Sequence, residues 1–193
     1  MEDEKKDFFV IGTLYDFQQN IVDSIFDEGI RIEEKEGSSF VLIVDETQSK
    51  IKNRKQKDKV SLSLINAGNL FLGSGKVELL FKKFGIENVQ FFKVKIKSSL
   101  GEIDDYKLIN ITDKLDCVDF DLSELELFPD GDIERIIKLV IDINKVPINK
   151  KIFLLDKYPT QVIIVHDDLR QAIEEEGLTG FTFLDLQDAG KIY

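Results

Sequence analysis

The side chains that most often do chemistry are scarce in this chain. There is one histidine, His166, and one cysteine, Cys117. A zinc site of the usual Cys/His kind is therefore excluded within the chain. His166 follows the apolar run 162–165 and precedes a helical pattern beginning near Asp168. A base there would stand at the carboxyl end of a strand, where open α/β sheets place ligands. A residue at that point equally caps the helix or is simply solvated. This second reading is preferred, because no other titratable pattern converges on His166. Cys117 stands in Asp116-Cys117-Val118-Asp119. Neighbouring carboxylates raise a thiol pKa, against nucleophilic use, so Cys117 reads as a small buried or half-buried apolar residue.

Carboxylates are plentiful. Residues 113–134 hold nine of them and one lysine. Asp119-x-Asp121-x-Ser123 begins like a calcium loop, but Glu124 stands where the sharp turn needs glycine, and no Glu fills the twelfth place. Nothing orders the carboxylates into the pair that glycoside or phosphoryl chemistry requires. Two readings remain: a solvated face, or an interaction surface for a basic partner. In the second, Asp116, Asp119, Asp121, Glu124 and Glu126 are the candidate contact residues. The opposite run, 50–59, carries six basic residues and one acid. It is either a phosphate-contacting arm or a solvated loop; the loop is preferred, because no aromatic is interleaved for base stacking. Leu72-Gly73-Ser74-Gly75-Lys76 lacks both the third glycine of a dinucleotide fingerprint and the Walker spacing, so its glycines read as turn residues. No cofactor or metal is expected.

Composition narrows the classes further. The 193 residues carry a net charge of −11, which disfavours broad nucleic-acid binding. The longest apolar run, 40–44, has five residues, too few for a membrane-spanning helix. Six of the first seven residues are charged, and they lack the apolar stretch of a secretion signal. One cysteine excludes an internal disulfide and fits a reducing compartment. A cytoplasmic protein is expected, with no direct nucleic-acid or membrane contact.

The elements that would position these residues are mostly strands. Runs rich in Ile, Val and Phe occur at 8–11, 40–45, 70–72, 89–97, 106–111, 136–143, 152–155, 162–165 and 181–186. In the clearest alternation, Ile137, Leu139, Ile141 and Ile143 share one face, as in a strand with one buried side. Residues 98–105 read as a hairpin connection. Two helices stand out. Val77, Leu80, Phe81 and Phe84 form an apolar stripe over 76–84, and Leu169, Ala172 and Ile173 form another over 168–176. Asp167 is the expected N-cap of the second helix and Gly177 its stop. A weaker helix covers 17–27.

Shifted by 92 residues, 71–94 lies over 163–186, and nineteen of the 24 pairs fall in the same class. Gly85/Gly177 and Phe91/Phe183 are identical. Each second strand switches its apolar face halfway, as a bulge or two-sided burial requires. This pattern suggests a duplicated strand–helix–strand unit. The fold class expected is α+β: a mixed β-sheet covered by a few helices, in one compact domain over 1–193. The first 60 residues are the least clear part.

Two segments carry a family resemblance. The first is Tyr106-Lys-Leu-Ile-Asn-Ile-Thr-Asp-Lys-Leu-Asp-Cys-Val-Asp119, an aromatic strand running into Asn110 and then the Asp116-Cys117-Val118-Asp119 element. The second, residues 152–183, has a Phe-bearing strand, a short apolar strand, a helix, then Gly177-x-x-Gly180-apolar-x-Phe183. Together they resemble immunity-protein family eleven of bacterial polymorphic toxin systems, first catalogued as a domain of unknown function. The resemblance covers roughly residues 60–187. The family tends to place Ser at the helix entry; Ser74 fits this and His166 does not. The resemblance implies a non-enzymatic protein that neutralises a cognate toxin in the bacterial cytoplasm by occlusion. The partner would be a toxin domain, for example a basic nuclease. The alternatives from other classes are a small acidic-site hydrolase, a general protein-interaction module, and a nucleic-acid-binding module using 50–59.

Overall fold

β-branched and aromatic residues pack well on a pleated surface, and the apolar runs of this chain form strands accordingly. The computed structural model describes residues 8–13, 30–35, 39–44, 63–67, 70–98, 101–103, 105–158 and 162–191. Within them the strands are β1 (Phe8–Thr13), β2 (Ile30–Lys35), β3 (Ser39–Val44), β4 (Leu64–Ala67), β5 (Leu70–Ser74), β6 (Val89–Ser98) and β7 (Gly101–Ile103). They continue as β8 (Tyr106–Ile111), β9 (Lys114–Leu115), β10 (Glu124–Leu127), β11 (Ile133–Lys138), β12 (Ile152–Leu155), β13 (Ile163–His166) and β14 (Phe181–Asp185). Two α-helices appear among the described residues, α1 (Gly75–Lys83) and α2 (Asp167–Glu175). The expected helix 17–27 and the basic run 50–59 lie outside the described residues.

The class is α+β. Two mixed sheets and a two-stranded ribbon take the place of the single expected sheet. One sheet runs β2-β3-β6-β8-β5-β4, with β7 added on β6. Its β3–β6 pair is parallel and its other pairs are antiparallel. The second sheet runs β14-β1-β13-β12-β9, where only β12–β9 is parallel. The ribbon is β10-β11. β6 and β8 do form the antiparallel pair that the 98–105 connection implies, and β7, within that connection, pairs with the end of β6.

Both helices begin directly after a strand and end in the same way. Phe84 and Glu176 donate their N–H to the carbonyls of Leu80 and Ala172. Gly85 and Gly177 donate to Lys82 and Glu174, and Ile86 and Leu178 reach back to Phe81 and Ile173. This is the left-handed glycine turn that satisfies the last carbonyls of a helix. The strands around each helix are placed alike too. β5 and β6 flank β8, with Phe71 and Phe91 both opposite Ile109. β13 and β14 flank β1, with Ile163 and Phe183 both opposite Ile11. The central strand comes from the following segment in one unit and from the start of the chain in the other.

One core cluster joins a face of both sheets to both helices. It contains Ile11, Val77, Phe81, Val165, Leu169 and Ile173 among others. The helices meet near their C-terminal ends, where Lys83 pairs with Glu176 at 3.1 Å. Gly180 lies against the Leu64 carbonyl, where a Cβ would be 2.1 Å from the oxygen. A second cluster lies on the opposite face of the β1–β13–β12 sheet. There Phe8, Val10, Phe153 and Ile164 pack against Cys117, Val118, Ile133 and Leu139.

The alternation at 137–143 does not make the expected strand. β11 ends at Lys138, and a 3-10 turn covers Ile143–Lys145. Leu139 is buried, while Ile137 and Ile143 are about half exposed, at 48% and 51%. The physical reason is the irregular register of the ribbon: Glu124 faces Lys138 and Leu125 faces Ile136, so Ile137 is the extra residue of a bulge. The bulge breaks the period-two pattern before it reaches 139.

Candidate functional site

The acidic segment is built on buried anchors. β9 pairs with β12 and delivers Cys117 and Val118 into the second core. Val118 bridges to Ile141, and the Asp119 N–H donates to the Val140 carbonyl at 2.9 Å. The chain then turns sharply. Asp119 Oδ1 accepts the N–H groups of Asp121 and Leu122, both at 3.1 Å. Ser123 latches this turn to the neighbouring segment: its hydroxyl donates to the Val140 carbonyl and accepts the Val140 N–H. The short polar side chains of Asp and Ser make such turns because they substitute for backbone partners. The apolar side chains between them, Phe120 and Leu122, are left exposed, at 42% and 61%.

The ribbon follows. Leu125 faces Ile136 and packs on the core, while Glu124 and Glu126 are exposed. The Phe128–Asp132 loop closes through the Phe128 N–H to the Asp132 carbonyl, and Asp130 accepts from the Asp132 N–H. The Ile133 N–H donates to the Lys157 carbonyl at 2.7 Å, tying the ribbon to the loop after β12.

The five candidate contact carboxylates fall on this segment but have different employments. Asp116 pairs with Lys157 at 2.8 Å, and that hydrogen bond raises the Lys157 pKa. Asp119 holds its own turn. Glu126 pairs with Arg135 at 3.3 Å, an exposed pair of little energetic weight. Asp121 and Glu124 have no ion-pair partner among the described residues. Among those residues, no group of three or more His, Cys, Asp or Glu is arranged to hold a metal ion.

The other candidate residues have structural settings. His166 is the N-cap of α2: its Nδ1 accepts the Asp168 N–H at 3.2 Å, and Phe8 meets its ring edge-on. The expected cap, Asp167, is instead the first helical residue. It is buried and its carboxylate accepts from Arg170 and Gln171. Asp167 has already entered the helix and its carboxylate is taken by Arg170 and Gln171, so the cap falls to the residue before it. Ser74, at the matching place before α1, makes no side-chain cap bond. Cys117 is fully buried, and burial pushes its thiol up to about 11, with the Asp116 charge a smaller cause. Gly73 is a strand residue, not a turn: a Cβ there would sit 2.6 Å from the Ile109 side chain. A cleft of about 300 Å³ opens beside the end of α1, lined by Gly85, Glu87, Asn88, Asp113, Asn149 and Lys150. Two of its charges are paired with each other, Lys150 with Asp113.

Sequence reasoning missed the exposed apolar residues of this face. Their signal was present: from Asp119 to Leu127 acids and apolar residues nearly alternate. Such alternation implies a buried apolar side, yet only Leu125 goes in.

Fold and surface together define an α+β protein with a pinned, acidic and partly apolar face. Among its described residues no helix is long and apolar enough to cross a membrane. The family model described as "Immunity protein family (Imm11)" matches residues 23–188, and the chain belongs to that family. No curated protein matches the chain.

Proposed function

We propose that this chain is a non-enzymatic immunity protein of a polymorphic toxin system. It acts in the bacterial cytoplasm as one compact domain, binding a cognate toxin domain and covering its working surface. Membership of the immunity family over residues 23–188 carries this reading. The settings of the candidate catalytic groups support it. Cys117 is sealed in the core with a raised pKa, and His166 uses a ring nitrogen to cap a helix. The charge of −11 favours a basic toxin, such as a nuclease with a nucleic-acid-binding surface. Opposite charge speeds encounter by roughly 10- to 1,000-fold in a salt-dependent way. The equal 92-residue spacing of helices, glycine turns and strand registers supports a duplication of 71–94 as 163–186; superposing the two units with their central strands tests it.

The deciding experiment is co-expression with the toxin domain encoded beside this chain. Growth should be rescued. If cells die while both proteins accumulate in folded form, the pairing is wrong. Turnover of any substrate by the purified chain, abolished by one point change, would overturn the non-enzymatic reading.

A further inference from the structure

The large apolar side chains that are exposed among the described residues are not scattered. All but Leu79 lie between Phe120 and Ile148. Isolated exposed apolar residues are ordinary; several exposed along one short, rigidly held segment mark a place where another molecule docks. The 119–123 turn and the β10–β11 ribbon present Phe120, Leu122, Leu127 and Ile137 with 42–61% of their surface in solvent. They are held firmly, by the Asp119 and Ser123 bonds to the backbone and by the Ile133–Lys157 bond. A preorganised surface loses little entropy when it binds.

Charge names the occupant. Residues 119–138 carry seven carboxylates against two cations, Arg135 and Lys138. Asp121, Glu124 and Glu134 have no ion-pair partner among the described residues. Nucleic acid and anionic lipid carry the same sign and are repelled. A second copy meeting this face across a two-fold axis would set acid against acid. A basic protein surface with an apolar centre satisfies both features.

We propose that the outer face of the 119–123 turn and the β10–β11 ribbon is the docking surface for a basic protein domain. Phe120 and Leu122 act as the anchors, and Asp121, Glu124 and Glu134 steer encounter. The proposal rests on the immunity reading in one respect: the basic domain is the toxin.

The test measures association and dissociation rates of the full chain with the inactivated toxin domain encoded beside it. Three variants are compared, each checked by thermal melting: Phe120→Ser with Leu122→Ser; Asp121→Asn with Glu124→Gln and Glu134→Gln; and Leu79→Ser as a distant exposed control. The apolar pair should raise the off-rate more than roughly tenfold, since interface truncations act mainly there. The charge triple should slow association roughly tenfold at low salt, the difference vanishing at high salt. Leu79→Ser should change neither rate. A wild-type complex whose rates ignore both substitutions overturns the surface and leaves immunity standing. A wild-type chain that binds no toxin domain overturns both readings. Self-association of the chain that is lost in the Phe120→Ser, Leu122→Ser variant makes a second copy the occupant and overturns the proposal as well.

Discussion

Gly85 and Gly177 stand 92 residues apart and occupy the same turn, with φ of 65° and 63°. Each donates its N–H to the carbonyl three residues earlier, and each sits in open space on its Cβ side. A side chain at either position meets no neighbour and pays only for the left-handed backbone.

Gly85→Ala and Gly177→Ala should therefore destabilise equally, by about 1 kcal/mol each. Urea denaturation of both variants measures this. The double variant should depart from the sum only by the contribution of the exposed Lys83–Glu176 pair that links the two turns, about a few tenths of a kcal/mol.

The cap on α2 predicts a role for His166 in stability and none in neutralisation. His166→Ala should cost about 1 kcal/mol by leaving the Asp168 N–H without its acceptor. His166→Asn should recover most of that, because an Asn oxygen accepts in the same way. Growth rescue by both variants should match the parent chain. A rescue defect in both, at equal folded levels, would return the histidine to the functional surface.

Alkaline instability should trace to Cys117. Its pKa is raised to about 11, so the folded chain holds the proton more tightly than the unfolded one. The resulting stability is fully present below about pH 9 and is lost as pH climbs through 11, up to about 3 kcal/mol. Cys117→Ala should be flatter than the parent between those pH values in denaturation curves. The native thiol should also resist alkylation at neutral pH until the chain opens.

At the acid end, Glu78 of α1 is the group to watch. It accepts hydrogen bonds from Lys107 of β8 and from Lys82, and these hold its carboxyl below the usual range, Lys107 contributing most. The stability they provide is present above about pH 4.5 and disappears as pH falls through the lowered pKa. Glu78→Gln should remove that part of the acid limb. A double-mutant cycle with Lys107→Met should give a coupling of about 1 kcal/mol, reduced in salt.

Local patterns in the chain were enough for the class, most strands, both described helices and their glycine stops, because these follow from spacing within a dozen residues. The stripe Val77–Leu80–Phe81 and the stripe Leu169–Ala172–Ile173 each require a helix with one buried face, and both are buried. The tertiary structure alone decided which strand completes each unit. Nothing in the apolar pattern of β1 says that it lies between β13 and β14, since strand pairing is set by distant partners. It also decided the fate of the acidic face. Leu125 and Ile137 look alike in the sequence, yet Leu125 pairs with Ile136 and packs on the core, while Ile137, the extra residue of the bulge, is 48% exposed. Alternation assumes an unbroken register, and one extra residue in a ladder reverses every side chain after it.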